Sequence, residues 1–145
     1  MTRLLLITLL ALSSRPVYAE WVSVDGKFEE GSTPYTIYVD PDTIRRNGDL
    51  VKLWALMDFK TIQTEPSPSH LSVKSQREFN CADEHVRLLR LTAFSGHMGN
   101  GNAVYSYSDS KDQGIAIEQD SVAHRLWKFA CGKDGTVKSA WSFNR

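Results

Sequence analysis

Residues 38–59 read YVDPDTIRRNGDLVKLWALMDF. The Asn47-Gly48 pair in the middle is a strong short-range hairpin signal. A two-residue type I′ turn needs two positive φ angles in a row, which Asn and Gly take readily. A loop at that place sets the pairing: Arg46 faces Asp49, Ile44 faces Val51 and Thr43 faces Lys52. The outgoing strand then alternates. Val51, Leu53, Ala55, Met57 and Phe59 share one apolar face, while Leu50, Lys52, Trp54, Leu56 and Asp58 share a mixed one. A long antiparallel strand with one apolar side can seed a sheet.

Upstream, residues 35–40 (YTIYVD) are rich in β-branched and aromatic side chains and read as a strand. Asp40-Pro41-Asp42 reads as a turn between that strand and the hairpin. Residues 20–24 (EWVSV) alternate and predict a short first strand, followed by a polar stretch over 25–34. Downstream, residues 61–70 (TIQTEPSPSH) read as a loop, since proline cannot donate to a sheet ladder. Residues 71–80 (LSVKSQREFN) alternate, and their charges suggest a strand near an edge. Residues 85–94 (HVRLLRLTAF) also fit helical spacing through Val86, Leu89 and Ala93, but the flanking turns favour a strand.

Residues 95–102 (SGHMGNGN) hold three glycines and read as a wide, flexible hairpin loop. No Lys-Ser/Thr, following helix or GxGxxG order makes the loop a phosphate cradle. Residues 103–109 form a further strand with Tyr105 and Tyr107 on one face, and 115–118 a last short one.

The period then changes. Ser121 is placed to cap a helix running from Val122 to about Cys131. Ala123, Leu126, Trp127, Ala130 and Cys131 fall on one stripe, with His124 at its flank. Lys128 suits the negative end of the helix dipole, and Gly132 suits a left-handed C-cap. Residues 133–145 form a polar tail in which Trp141 and Phe143 could dock.

The first nineteen residues have the layout of a secretory signal peptide. A basic start at Arg3 precedes an apolar run over 4–12, and Val17-Tyr18-Ala19 places small residues before a cleavage point at Ala19/Glu20. The apolar run is about half the ~20 residues that a spanning helix needs. Removing Arg3 and Arg15 with the leader leaves 15 basic against 17 acidic residues. So balanced a chain has no electrostatic footprint for nucleic acid. No later run approaches membrane-spanning length. The two cysteines, Cys81 and Cys131, both lie in the exported part, where an even pair in a small domain reads as a disulfide. A redox or metal pair would prefer CxxC spacing or nearby histidines.

No residue set predicts catalysis, a metal or a cofactor. The histidines (His70, His85, His97 and His124) form no HxH or HExxH pattern. His97 beside Met98 offers axial haem ligand chemistry, but an exposed loop pair is the plainer reading. Asp40 and Asp42 flank a proline as turn formers. Tyr35, Tyr38, Tyr105 and Tyr107 could form a binding face, against ordinary cross-strand packing.

The order of motifs is now visible: Trp21, YVD at 38–40, TIRRNG at 43–48, VKLWAL at 51–56, a strand into Cys81, and SVAHRLWKFAC at 121–131. It resembles the surface-adhesin protein E family of Gram-negative bacteria over nearly the whole mature chain. The resemblance implies an α+β fold: a curved antiparallel sheet of about six strands with a C-terminal helix packed on it, tethered by Cys81–Cys131. The domain would span 20–132, between the 1–19 signal peptide and the 133–145 tail. The resemblance further implies a non-enzymatic adhesin that takes host matrix proteins such as laminin and vitronectin, with haem binding and dimerisation. Surface display in the family resembles lipid anchoring, and here Ala19-Glu20 stand where a lipidated cysteine would be. The expected location is therefore the periplasm, with the cell surface as the alternative, and a soluble periplasmic envelope protein or inhibitor with the same fold is the alternative function.

Overall fold

The protein is described as a computed structural model over residues 20–24, 28–30 and 33–133. The leader with its Ala19 side of the cleavage point, and Trp141 and Phe143 of the tail, lie outside the described residues. In chain order the elements are β1 (Val22–Ser23), β2 (Phe28–Glu30), β3 (Thr33–Asn47), β4 (Leu50–Gln63), β5 (His70–Asn80), β6 (His85–Phe94), β7 (Ala103–Ser108), β8 (Ile115–Ala116) and helix α1 (Val122–Ala130). Six strands form an antiparallel path, β1-β3-β4-β5-β6-β7, with β2 paired to β3 and β8 to β6. This is the α+β architecture that the motif order implies, and one disulfide joins Cys81 to Cys131.

The central hairpin forms, with its turn one residue later than the sequence suggests. Asn47 pairs with Leu50, Arg46 with Val51 and Arg45 with Lys52. Gly48 has a positive φ of 60° and neither Asn47 nor Asp49 does. Glycine at the first central position is the requirement of a II′ turn, not of the Asn-Gly I′ turn. Moving the turn by one residue moves the register by two, so every side chain keeps its face. Val51, Leu53, Ala55 and Phe59 are buried, as their alternation predicts.

Asp40-Pro41-Asp42 does not end a strand. It sits in a register shift between Asp40 and Arg45 inside β3. Proline has no N–H for the ladder, and side chains take over there. Asp40 Oδ1 accepts from the Asp42 N–H at 3.1 Å. The Thr43 hydroxyl donates to the Asp40 carbonyl at 2.7 Å and accepts from the Trp54 N–H at 3.1 Å.

β5 is a central strand, flanked by β4 and β6, and not an edge. Its charges are accommodated individually. Glu78 is buried, with Oε1 2.7 Å from Arg87 Nη2 and Oε2 3.7 Å from Lys52 Nζ. The Lys74 ammonium lies 5.8 Å from the Trp21 ring centre and 5.3 Å from that of Phe94, within cation–π reach. Arg77 enters the site below. β2 arises within the stretch read as merely polar, and it pairs with β3 over Tyr35, Pro34 and Thr33.

The loop over residues 95–102 is pinned to the back of the sheet. A 3-10 turn, His97–Gly99, holds Met98 at a left-handed φ of 54°. Asp58 Oδ1 accepts from the Met98 N–H at 2.7 Å and lies 3.3 Å from His97 Nδ1. Ser72, fully buried, donates to the Gly96 carbonyl at 2.6 Å and accepts from the Gly99 N–H at 2.8 Å. A positive φ at a non-glycine residue costs on the order of 1–3 kcal/mol and persists only when its surroundings hold it. Asp58→Ala should therefore cost about 1.5–3 kcal/mol, the value of a charged acceptor to a backbone N–H. Amide exchange at Met98 should accelerate before the rest of the sheet responds. Unchanged protection at Met98 would show that the loop is held by other contacts.

The helix packs on the apolar face. The Ser121 hydroxyl accepts from the His124 N–H at 3.1 Å, as an N-cap should. At the other end Gly132 takes φ 67°, and the Lys133 and Gly132 N–H groups bond to the Lys128 and Phe129 carbonyls. This is the Schellman closure. The buried stripe is wider than the spacing predicts. Leu126, Trp127 and Ala130 are buried, but so are Phe129 and His124, while Ala123 and Cys131 are half-buried.

Candidate functional site

Where β4 ends, β5 begins and α1 starts, the sheet and the loop after β4 enclose a cavity of about 750 Å³. That is within the ~300–1,000 Å³ typical of small-ligand pockets. Aromatic and aliphatic side chains form most of its wall. Tyr35 and Phe59 meet there at 5.5 Å between ring centres, and Leu91, Ala93 and Tyr105 close the β6–β7 side. Strand alternation positions them: Tyr35 pairs with Phe59 across β3–β4, and Ala93 with Tyr105 across β6–β7.

Two polar groups stand in this apolar wall. His70 is buried, its ring edge against Phe59 at 5.8 Å, and its Nδ1 lies 3.0 Å from the Pro68 carbonyl. That contact fixes Nδ1–H as the donor and leaves Nε2 for the cavity side. Arg77 comes from the core-facing row of β5, opposite Leu53 of β4 and Leu88 of β6, beside a bulge at Gln76/Arg77. Its Nε donates to the Ser75 hydroxyl at 3.3 Å, a long contact. Burial lowers its pKa from the ordinary arginine value, and the phenol of Tyr35 acts in the opposite direction. Alternation held the signal for this residue, since Arg77 shares its row with Val73 and Phe79. Read alone, the charge of this strand marks an edge instead.

The other singled-out residues are dispersed. The disulfide is at the opposite end of α1, with Cα atoms 5.6 Å apart. His124 is not at the exposed flank: its Nδ1 accepts from the Asp120 N–H at 3.1 Å, and its ring stacks on Trp127 at 6.0 Å. His85 is exposed beside Asp83. His97 and Met98 do not fit a pair of axial haem ligands, because adjacent residues of one turn cannot reach opposite faces of one iron. The tyrosines divide: Tyr35 is buried, while Tyr105 and Tyr107 stay 48% and 40% exposed on β7. Among the described residues, no three His, Cys, Asp or Glu side chains gather as a metal site. Nor is any helix among them long and apolar enough to cross a membrane.

The family described as Surface-adhesin protein E matches residues 21–132. The chain belongs to the surface-adhesin protein E family. Its fold is similar to that of Haemophilus influenzae protein E in two crystal structures. The crystal form II structure gives a TM-score of 0.53 at 18% identity, covering 67% of this chain and 80% of that one. The other gives 0.50 at 18% identity, covering 69% and 80%. Identity this low carries the fold. None of the curated proteins matches the sequence. The six-strand path with its disulfide-tied helix matches the fold of the protein E structures.

Proposed function

We propose that the protein is an exported, non-enzymatic binding protein of the surface-adhesin E type, directed at host extracellular-matrix proteins. Family membership over residues 21–132 carries the reading. In it, 1–19 is a signal peptide cleaved between Ala19 and Glu20, 20–132 is the binding domain and 133–145 is a polar tail. Edge strand β7 supplies a contact surface, because Tyr105 and Tyr107 expose large amphipathic rings of the kind enriched in interface hot spots.

Protease shaving of intact cells tests the location. Digestion while a periplasmic control survives is the expected result, and protection until the outer membrane is opened would overturn surface display. Immobilised laminin or vitronectin tests the target. Saturable binding should weaken at least about tenfold when Tyr105 and Tyr107 are both replaced by Ala.

A second reading, a soluble envelope protein of the same fold with no adhesin role, is favoured by the cavity. Its volume suits a small molecule, not a folded matrix protein. Protection in the shaving experiment together with no matrix binding would select it.

A further inference from the structure

We propose that the cavity beside α1 binds a small apolar monocarboxylate, a medium-chain fatty acid or similar amphiphile, with its anionic head on Arg77. The site shares Tyr105 with the exposed β7 surface but is centred on Arg77, and it stands whether the protein acts outside the cell or within the periplasm.

Charge placement carries the inference. Arg77 lines a cavity whose wall is otherwise largely apolar. Among the described residues, it forms no ion pair. Glu65, the single carboxylate among the lining residues, sits on the exposed rim loop and is not bonded to it. The group whose charge would raise the Arg77 pKa is the phenol of Tyr35, neutral at ordinary pH, and not a carboxylate. Another arginine of the same strand pair shows the usual arrangement: Arg87 holds Glu78 Oε1 with two nitrogens, at 2.7 and 3.0 Å.

Arg77 is half-buried, and a partly desolvated cation without an anion is unfavourable, which an arginine cannot relieve by losing its proton. An incoming carboxylate would supply the missing charge in the fork geometry that guanidinium matches. One unpaired cation calls for one anionic group. The rings of Phe59, Tyr35 and Tyr105, with Leu91, would receive the apolar body.

Titrating the full mature, disulfide-bonded protein with the fluorescent probe dansyl-undecanoic acid tests the proposal. Saturable binding with a blue-shifted emission is expected, one probe per chain. Dodecanoate should displace the probe at least about tenfold better than dodecanol, which has the same tail without the charge. Arg77→Gln and Arg77→Met should each weaken probe binding by a similar factor, while melting temperatures stay at or above that of the parent. The acid–alcohol comparison uses the unmodified protein and so does not depend on either variant folding. Absence of saturable binding would overturn the proposal. So would equal displacement by acid and alcohol, or probe affinity unchanged in both Arg77 variants. Matrix-protein binding and shaving do not read Arg77 or the acid–alcohol comparison, so their failure leaves this result intact.

Discussion

Replacing Cys131 with Ser in the mature protein should lower its stability by about 4 kcal/mol, the loop-closure value for a cross-link of this span. The bridge joins residues 50 apart in sequence. In a domain of this size the loss should lower the melting temperature by roughly 10–20 °C. The location of the bridge makes the effect large. Cys131 is the C-cap of α1, and Cys81 directly follows β5, where its N–H donates to the Asp49 carbonyl at 2.8 Å. The bridge thus pins the end of the helix to the end of the sheet that carries the β3–β4 turn. Helix α1 has nine residues, fewer than the ~12–15 that let an isolated helix persist in water. Its residence on the sheet therefore depends on tertiary ties. Thermal unfolding with and without reductant measures the effect. Equal melting temperatures would show that packing alone retains the helix.

The parts of the fold legible in sequence were those specified locally. The alternation of Val51, Leu53, Ala55 and Phe59 marked the buried face of β4, and Ser121 and Gly132 marked both ends of the helix. Each signal needs only neighbours a few residues away. The misreadings involve distant partners. The 95–102 loop looks mobile from its glycines, yet Asp58 and Ser72, 40 and 27 residues from the N–H groups they accept, hold it down. β5 looks like an edge because it is charged, yet Glu78 meets Arg87 only once β6 has paired. His124 looks like a flank residue until Asp120 and Trp127 are brought to its two sides. The turn displacement is subtler. Asn-Gly and Gly-Asp both suit a hairpin, and local chemistry does not choose between registers that keep the same faces.

The candidate site was less legible than the fold for the same reason. Arg77 occupies an apolar row, and strand alternation alone could have placed it there. Its significance comes from Tyr35, Phe59, His70 and Tyr105, which reach the same cavity from four strands. An arginine on a buried row with no acidic partner at matching register is the kind of signal that sequence reading can adopt.

Trp127→Ala should be the most damaging single side-chain truncation in the helix, at about 3–5 kcal/mol, the range for removing a large buried aromatic. The ring is nearly buried, and its Nε1 donates to the Asn80 carbonyl at 2.9 Å. Trp127→Phe separates the two contributions. It keeps most of the packing and should cost about 1–2 kcal/mol for the lost hydrogen bond and the carbonyl left without it. Asn80 immediately precedes Cys81, and Trp127 is one helical turn before Cys131. The hydrogen bond and the disulfide therefore clamp the same end of α1 to the same end of β5. Two ties this close should not act independently. With the disulfide gone, the helix already leaves the sheet part of the time, so losing Trp127 has less to disrupt. A double-mutant cycle of Trp127→Ala with Cys131→Ser should show a coupling of about 0.5–3 kcal/mol, the combined loss falling short of the sum. Strict additivity in denaturant melts would mean that the two ties hold separate parts of the helix. A loss near the full sum would also approach the ~5–15 kcal/mol total stability of an ordinary domain, leaving the double variant largely unfolded.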